Sequence, residues 1–274
     1  MKLKLALASA IVMSSISATY AADMAVKAPP PPPIFNWTGF YIGGFVGGAV
    51  ADGSAFASEP NIVGIPAAFY NGTGFATSYG LGSSFIGGGT IGYNWQRPGS
   101  PFVLGIEGEA GYIHLTGARQ SVNAALTGLS PIDSVDSTRL GDWYAVIAGR
   151  AGWAVNNALF YVKGGAAFID HSYSFNDSCV GAGPPGCGGG FLVINRSSTQ
   201  VTYAVGAGVE YAFNNNWSVK GEYLYLGTQK NDSSTATAVA PAGVLYTNTN
   251  SDPGIHTGKI GINYRWGGPV VAKY

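Results

Sequence analysis

The sequence predicts an all-β fold: an eight-stranded antiparallel up-and-down transmembrane β-barrel with short periplasmic turns and four long extracellular loops. Three observations lead to this prediction. Stretches of ten or more residues with period-two hydrophobic patterning recur along the chain from Trp37 onward. The connections between these stretches alternate between short and long. A Trp or Phe residue stands at the short-turn end of every stretch.

The composition excludes several other classes of protein. The 274 residues include 42 Gly, and only 10% are charged. Disordered chains are rich in charge and poor in aromatic residues, whereas 13% of this chain is aromatic. Outside the N-terminus there is no run of about 18 apolar residues, which argues against a helical membrane protein. The 14 basic residues equal the 14 acidic ones, and this balance excludes the usual charge pattern of a nucleic-acid-binding protein.

The eight strands account for most of the chain after its first 36 residues. They are predicted at 37–50, 83–96, 102–116, 139–155, 159–174, 199–213, 217–229 and 256–266. The long connections are predicted at 51–82, 117–138, 175–198 and 230–255, and three short turns alternate with them. In an up-and-down barrel this alternation places all the short turns at one end.

The N-terminus has the pattern of an export signal. Lys2 and Lys4 precede a short apolar stretch, and Thr19 and Ala21 occupy the two small-residue positions of a cleavage site. We therefore predict a cleaved signal peptide over 1–21. Because the chain that follows such a signal starts in the periplasm, the short turns are predicted to be periplasmic.

Two further segments flank the predicted barrel domain, which covers 37–266. A Pro-rich periplasmic linker is predicted over 22–36, since five consecutive prolines form a stiff polyproline spacer. Residues 267–274 are predicted to be a C-terminal tail. We expect the end of the last strand at Trp266, rather than Tyr274, to carry the signal that the barrel-insertion machinery reads.

Aromatic residues mark one rim of the predicted barrel. Amphipathic rings prefer the headgroup level of a membrane, so a ring of them indicates an interface. The predicted periplasmic girdle consists of Trp37, Trp95, Phe102, Trp153, Phe160, Phe213, Trp217 and Trp266.

Nearly all the charges within the strands fall on one predicted face, the face toward the lumen. An eight-stranded barrel is only wide enough for its side chains to fill it, so we expect an internal ion-pair network rather than an ion filter. Its predicted members are Glu107, Glu109, Arg150, Lys163, Glu210, Lys220, Glu222 and Lys259. Intervening glycines are expected to leave room for large inward side chains.

Two details of the strand faces are less regular. In the first strand, Phe40 and Ile42 face one way, whereas Tyr41 and Phe45 face the other, so the pattern does not decide which pair meets the lipid. In the fourth strand, Asp142 is expected to point inward together with the network.

The motifs of this barrel resemble those of the RopB-type outer-membrane proteins of alpha-proteobacteria, small barrels similar to the OmpA membrane domain. They are Gly39-Phe-Tyr-Ile-Gly-Gly44, Gly92-Tyr-Asn-Trp-Gln96, Gly105-Ile-Glu-Gly-Glu109, Gly208-Val-Glu-Tyr211, Trp217-Ser-Val-Lys-Gly-Glu-Tyr223 and Ile262-Asn-Tyr-Arg-Trp266. The resemblance implies an abundant protein tied to envelope integrity and host contact. Some members are described as haem-binding, and many are labelled porins.

The only two cysteines, Cys179 and Cys187, lie in the third long loop. Because an exported chain passes through the oxidising periplasm, we expect a disulfide between them. The alternative is a metal-thiolate pair, but no His or further Cys lies nearby in the sequence.

Three histidines, His114, His171 and His256, fall near the extracellular ends of strands. A haem or metal site at this rim is one interpretation. Their strand phases differ, however, so we expect three unrelated residues and no cofactor. Asp170 and His171 point to opposite faces of a strand, and no nucleophile motif accompanies them, so no enzyme is predicted.

We therefore predict a protein of the Gram-negative outer membrane with a structural and surface-interaction role. The expected partners are outer-membrane lipid, lipopolysaccharide, the barrel-insertion machinery and host or phage surface ligands. Three alternatives stay open: a narrow porin-like pore for small solutes, a haem or ligand receptor, and a soluble lipocalin-like barrel.

Overall fold

The computed structural model describes residues 35–59, 75–121, 134–178, 191–228, 232–237 and 245–266. These residues are almost entirely in strands. In chain order, the strands are β1 (Gly39–Ala51), β2 (Ser54–Glu59), β3 (Phe75–Gly80), β4 (Ser83–Gln96), β5 (Phe102–Tyr112), β6 (His114–Ser121), β7 (Ser134–Val155), β8 (Ala158–Ser178), β9 (Phe191–Ala212), β10 (Trp217–Leu226), β11 (Asp232–Thr237), β12 (Leu245–Ser251) and β13 (Ile255–Trp266). Within these ranges, no helix is long and apolar enough to cross a membrane.

Eight of these strands close into a barrel. Their order around it is β1, β4, β5, β7, β8, β9, β10 and β13, and β13 returns to pair with β1. All of these pairs are antiparallel, and the closing pair runs from Phe40 opposite Trp266 to Ala51 opposite Ile255. The predicted eight-stranded up-and-down barrel is therefore confirmed.

The third predicted strand is interrupted at Ile113, where β5 ends and β6 begins. Opposite this break, β7 shifts its register against β8 between Leu140 and Tyr144. Gly141 and Asp142 have φ angles of 116° and 79° there, in the left-handed region. The Asp142 backbone N–H donates to the Ile113 carbonyl at 2.7 Å. This bulge turns the Asp142 side chain to the exposed outer surface, so the expectation that it points inward is wrong.

The extracellular connections contain more regular structure than the sequence predicts. Strands β7, β8 and β9 have 22, 21 and 22 residues, whereas a membrane crossing needs only about 9–11. Their upper halves therefore extend beyond the membrane. A separate four-stranded antiparallel sheet, in the order β11, β12, β2 and β3, lies within two of the predicted loops. We call this the extracellular sheet. Its strands are rich in Ser, Thr and Asn, so they lack the hydrophobic alternation that marks a lipid-facing strand.

Two aromatic girdles border the lipid-facing surface. Seven of the eight predicted girdle residues are exposed at the periplasmic end, and a second set of exposed aromatic residues lies at the other boundary. The upper set is Phe85, Tyr112, Trp143, Tyr203 and Tyr223. Ten positions separate the girdles in β4, β5 and β7. Ten residues of a strand tilted by about 45° span roughly 23 Å, which matches the apolar band of such barrels.

Side chains fill the described interior at three levels. A lower apolar cluster lies at the periplasmic end, and it comprises Trp37, Val103, Leu159, Tyr161 and Ala212. Charged residues occupy the middle. A larger apolar cluster, including Phe45, Ile86, Leu140, Ile169, Leu224 and Ile255, lies above them. Tyr41 is buried while Phe40 is 63% exposed, which resolves the ambiguous phase of the first strand.

Candidate functional site

The charged level of the interior consists of the eight residues that the sequence predicts there. All eight are at most 5% exposed, and β5, β7, β8, β9, β10 and β13 contribute them. The strand register brings opposite charges together, because Lys220 lies beside Glu210 and Lys259 beside Glu222. We call this set the charge network.

Lys163 lies at the centre of the charge network. Its Nζ is 2.8 Å from Glu107 Oε1, 2.9 Å from Glu109 Oε2 and 2.7 Å from Glu222 Oε1. These three carboxylates lie close enough together to resemble a metal site. The Lys163 ammonium group contacts all three, however, so an ion pair of the protein itself satisfies them.

The other cations complete the charge network. Lys259 contacts Glu109 and lies 2.9 Å from Glu222 Oε1, whereas Lys220 reaches Glu107 Oε2 at 3.5 Å. Arg150 bridges two carboxylates: its Nη1 lies 3.3 Å from Glu107 Oε2, and its Nη2 lies 3.0 Å from Glu210 Oε2. Four cations therefore balance four carboxylates, which is the condition under which buried charges are tolerated.

Neutral hydroxyl groups also donate to every carboxylate of the charge network. Tyr41 donates to Glu107 at 2.7 Å, Tyr144 to Glu109 at 2.6 Å and Tyr161 to Glu222 at 2.8 Å. Ser218 donates to Glu210 at 2.6 Å. These donors were not predicted as members of the network. The sequence signal for them was their inward strand phase, because a buried carboxylate needs several hydrogen bonds.

Trp37 lies inside the periplasmic end of the barrel and is only 2% exposed, so its assignment to the aromatic girdle is wrong. It precedes β1 and therefore does not follow the strand alternation. Its backbone N–H donates to Gln96 Oε1 at 2.8 Å, and the Arg265 guanidinium lies over its ring and over that of Phe35. We call Phe35, Trp37 and Arg265 the periplasmic clamp.

The periplasmic clamp joins the two strands at which the barrel closes. Arg265 is on β13 and donates to the carbonyl of Asn36, just before β1, at 2.6 Å. Its Nη2 donates to the carbonyl of Asn215, in the turn between β9 and β10, at 2.8 Å. One buried guanidinium thus links three segments of the chain.

Replacing Arg265 with Ala is expected to lower the free energy of unfolding by about 2–3 kcal/mol, because two charge-assisted hydrogen bonds and two cation–π contacts are lost. Arg265→Lys should recover only part of this loss, since an ammonium group lacks the planar fork of donors. Denaturant titration of the folded barrel, followed by the heat-dependent shift in gel mobility, would measure the effect. Arg97→Ala, at an exposed position, is the matched control. Equal stability of both variants would contradict a role for the clamp.

The three histidines have different surroundings. His114 Nδ1 lies 2.6 Å from Asp142 Oδ1 on the outer surface, and His256 Nδ1 lies 2.6 Å from the Tyr223 hydroxyl. His171 is fully buried and points into the barrel. The structure therefore does not bring them together, and haem binding stays an untested alternative. Cys179 and Cys187 lie outside the described residues, so their disulfide stays a prediction.

Sequence comparisons with known proteins agree with this architecture. Residues 8–266 match the family described as the outer membrane protein beta-barrel domain. The 31 kDa outer-membrane immunogenic protein of Brucella melitensis is 30% identical over 271 residues, covering 93% of this chain and 99% of its own. The 22 kDa outer membrane protein of Rhizobium leguminosarum bv. viciae is 27% identical over 203 residues, covering 74% of this chain and 70% of its own. Among solved structures, OprG of Pseudomonas aeruginosa aligns with a TM-score of 0.48 at 12% identity, covering 84% of this chain and 97% of OprG.

Proposed function

Because this chain belongs to the family of outer-membrane proteins with a β-barrel domain, we propose that it is a non-catalytic envelope protein that presents its extracellular strands and loops to partners. In this role the barrel is a membrane anchor, and it does not conduct solutes. The observation that carries the proposal is the filled interior. A charge network lies between two apolar clusters, so a solute would have to displace three layers of packed side chains.

The extracellular half supports the surface role. Three strands continue well beyond the upper girdle, and the extracellular sheet adds four more. Binding residues in proteins are often held at the surface by a rigid scaffold, and these long strands provide such a scaffold. Lipopolysaccharide and host or phage surface molecules are the partners that this location favours. The name of the Brucella relative describes that protein as immunogenic, in keeping with surface exposure of that relative.

Conductance of the purified protein in planar lipid bilayers tests the anchor role. We expect no reproducible single-channel steps from the wild type. A variant with a loosened interior, Arg150→Ala with Tyr161→Ala, is the positive control, and it should conduct if it folds. Reproducible steps from the wild type would support the alternative, a narrow pore.

Binding tests the surface role separately. Replacing Asp232–Ser251 with a short Gly/Ser turn removes β11 and β12 and leaves every barrel strand in place. Cells that display this variant should lose adhesion to host surfaces or phage adsorption relative to cells that display the wild type. Unchanged adhesion and adsorption would contradict a surface role for these strands.

A further inference from the structure

A cluster of buried polar side chains lies inside the extracellular half of the barrel, apart from the charge network. It consists of His171 on β8, Gln200 on β9, Asn250 on β12 and Asp252 between β12 and β13, and each is at most 3% exposed. His171 Nε2 lies 3.0 Å from Asp252 Oδ2, and Gln200 Nε2 donates to the same oxygen at 3.0 Å. We call these four residues the extracellular polar cluster.

Several atoms of this cluster have no hydrogen-bond partner among the described residues. They are both ring nitrogens of His171, Gln200 Oε1, Asp252 Oδ1 and both amide atoms of Asn250. Buried polar groups in proteins are nearly always paired, and an unpaired group calls for an explanation such as a bound ion or water. Here the unpaired atoms come from four side chains of one region. The cluster is therefore stronger evidence for a bound ligand than a single unpaired atom would be.

The chemistry of the unpaired atoms favours a cation. Three of them are carbonyl or carboxylate oxygens, which only accept hydrogen bonds, and a neutral imidazole adds a fourth lone pair. The donors among them are the Asn250 amide nitrogen and one imidazole N–H. Among the described residues, the basic side chain that lies within 4 Å of the Asp252 carboxylate is His171, which is charged only when protonated. A buried carboxylate surrounded by further acceptors disfavours an anion. A single water molecule has two hydrogens and could therefore donate to at most two of the four acceptors.

The mixture of donor atoms selects the class of cation. Imidazole nitrogen is a ligand for first-row transition metals, whereas Ca²⁺ and Mg²⁺ prefer oxygen alone. Two ligands about 2.1 Å from an octahedral ion lie about 3.0 Å apart. That value matches the separations of His171 Nε2 and of the Gln200 amide from Asp252 Oδ2, both 3.0 Å. Turning the Gln200 amide would direct its oxygen to the shared centre.

The neighbouring polar groups do not compete for this role. Burial raises the pKa of the nearby Tyr79 well above its usual value, so its hydroxyl stays protonated. That hydroxyl lies 2.8 Å from Thr138 Oγ1. Tyr173 donates to Asp136 at 2.6 Å. These groups are already engaged, whereas the four residues of the cluster retain free lone pairs.

We propose that His171, Gln200, Asn250 and Asp252 bind one divalent first-row metal ion. Such an ion would join the segment that leaves the extracellular sheet, at Asp252, to the barrel wall at β8 and β9. It would thereby fix the position of the extracellular sheet relative to the barrel.

Metal binding to the full-length folded protein in detergent tests this proposal. After treatment with EDTA and dialysis, titration with Zn²⁺ and with Mn²⁺ should show one bound equivalent of at least one of them by calorimetry and elemental analysis. The bound metal should raise the thermal unfolding midpoint. His171→Ala and Asp252→Asn should each weaken binding about tenfold or more. His114→Ala, which alters the exposed His–Asp pair on the outer surface, is the matched control and should bind normally.

Two results would overturn the proposal. One is the absence of stoichiometric binding of either metal to the wild type. In that case the direct contact between His171 and Asp252 closes the cluster without a metal. The other is metal binding that His171→Ala and Asp252→Asn retain. If these variants do not fold, Co²⁺ added to the wild type gives the same decision, since a histidine bound to Co²⁺ has strongly shifted imidazole proton NMR signals that the metal-free protein lacks, and these signals should persist in His114→Ala.

Discussion

Replacing Lys163 with Met is expected to lower the free energy of unfolding of the barrel by about 3–5 kcal/mol, the range observed when one partner of a buried ion pair is removed. The Lys163 ammonium group contacts Glu107, Glu109 and Glu222, all within 2.9 Å. Without it, three cations face four carboxylates in a space that is closed to water. The apolar Met side chain fills a similar volume, so the loss reports the unbalanced charge rather than a cavity.

Two companion variants identify the cause of this loss. Adding Glu109→Gln to Lys163→Met restores the balance of charge, and it should recover at least half of the lost stability. Arg139→Met removes a cation from the outer surface, where its partners Asp142 and Asp170 are 42% and 17% exposed, and it should cost at most about 1 kcal/mol. The measurement is denaturant titration of the folded barrel by tryptophan fluorescence. A Lys163→Met protein as stable as Arg139→Met would show that the charge network does not support the fold.

The members of the charge network could be predicted from sequence because lipid imposes strict alternation on every membrane-spanning strand. A charge such as Lys163 or Glu222 must take the inward phase, since the outward phase places it in hydrocarbon. The hydrogen-bond donors of the charge network were harder to assign to the inward face. Tyrosine is tolerated on both faces, and Tyr41 points inward whereas Tyr223 points outward.

The wrong predictions concern residues outside the part of the strands on which lipid imposes alternation. Trp37 precedes the first strand, and Asp142 lies in a bulge at the upper membrane boundary, so neither follows the alternation. The strands of the extracellular sheet bury mainly small or polar residues, such as Ala55, Ala57 and Asn250, and backbone pairing supports them without a strong hydrophobic pattern. The extracellular polar cluster could not be predicted from sequence for another reason. His171 and Asp252 are far apart in the sequence, and only the closed barrel brings them together.

Glycines inside the barrel were predicted to make room for large side chains, and Gly208 provides a test of that prediction. A Cβ atom at Gly208 would lie 2.5 Å from the Tyr161 hydroxyl and 2.8 Å from the Gly221 carbonyl oxygen. We expect Gly208→Ala to lower the free energy of unfolding by about 2–3 kcal/mol, because it overpacks the interior and displaces the hydroxyl that donates to Glu222.

The neighbouring strand offers a matched control for this substitution. Gly221 faces outward, and a Cβ there would meet nothing within 4 Å, so Gly221→Ala should change stability by at most about 0.5 kcal/mol. A double-mutant cycle with Tyr161→Phe isolates the contact: Gly208→Ala should cost less when the hydroxyl is absent. If Gly208→Ala and Gly221→Ala were equally stable, the position of the Tyr161 hydroxyl would not limit residue size at Gly208. The glycine would then reflect the curvature of the sheet rather than the packing of the charge network.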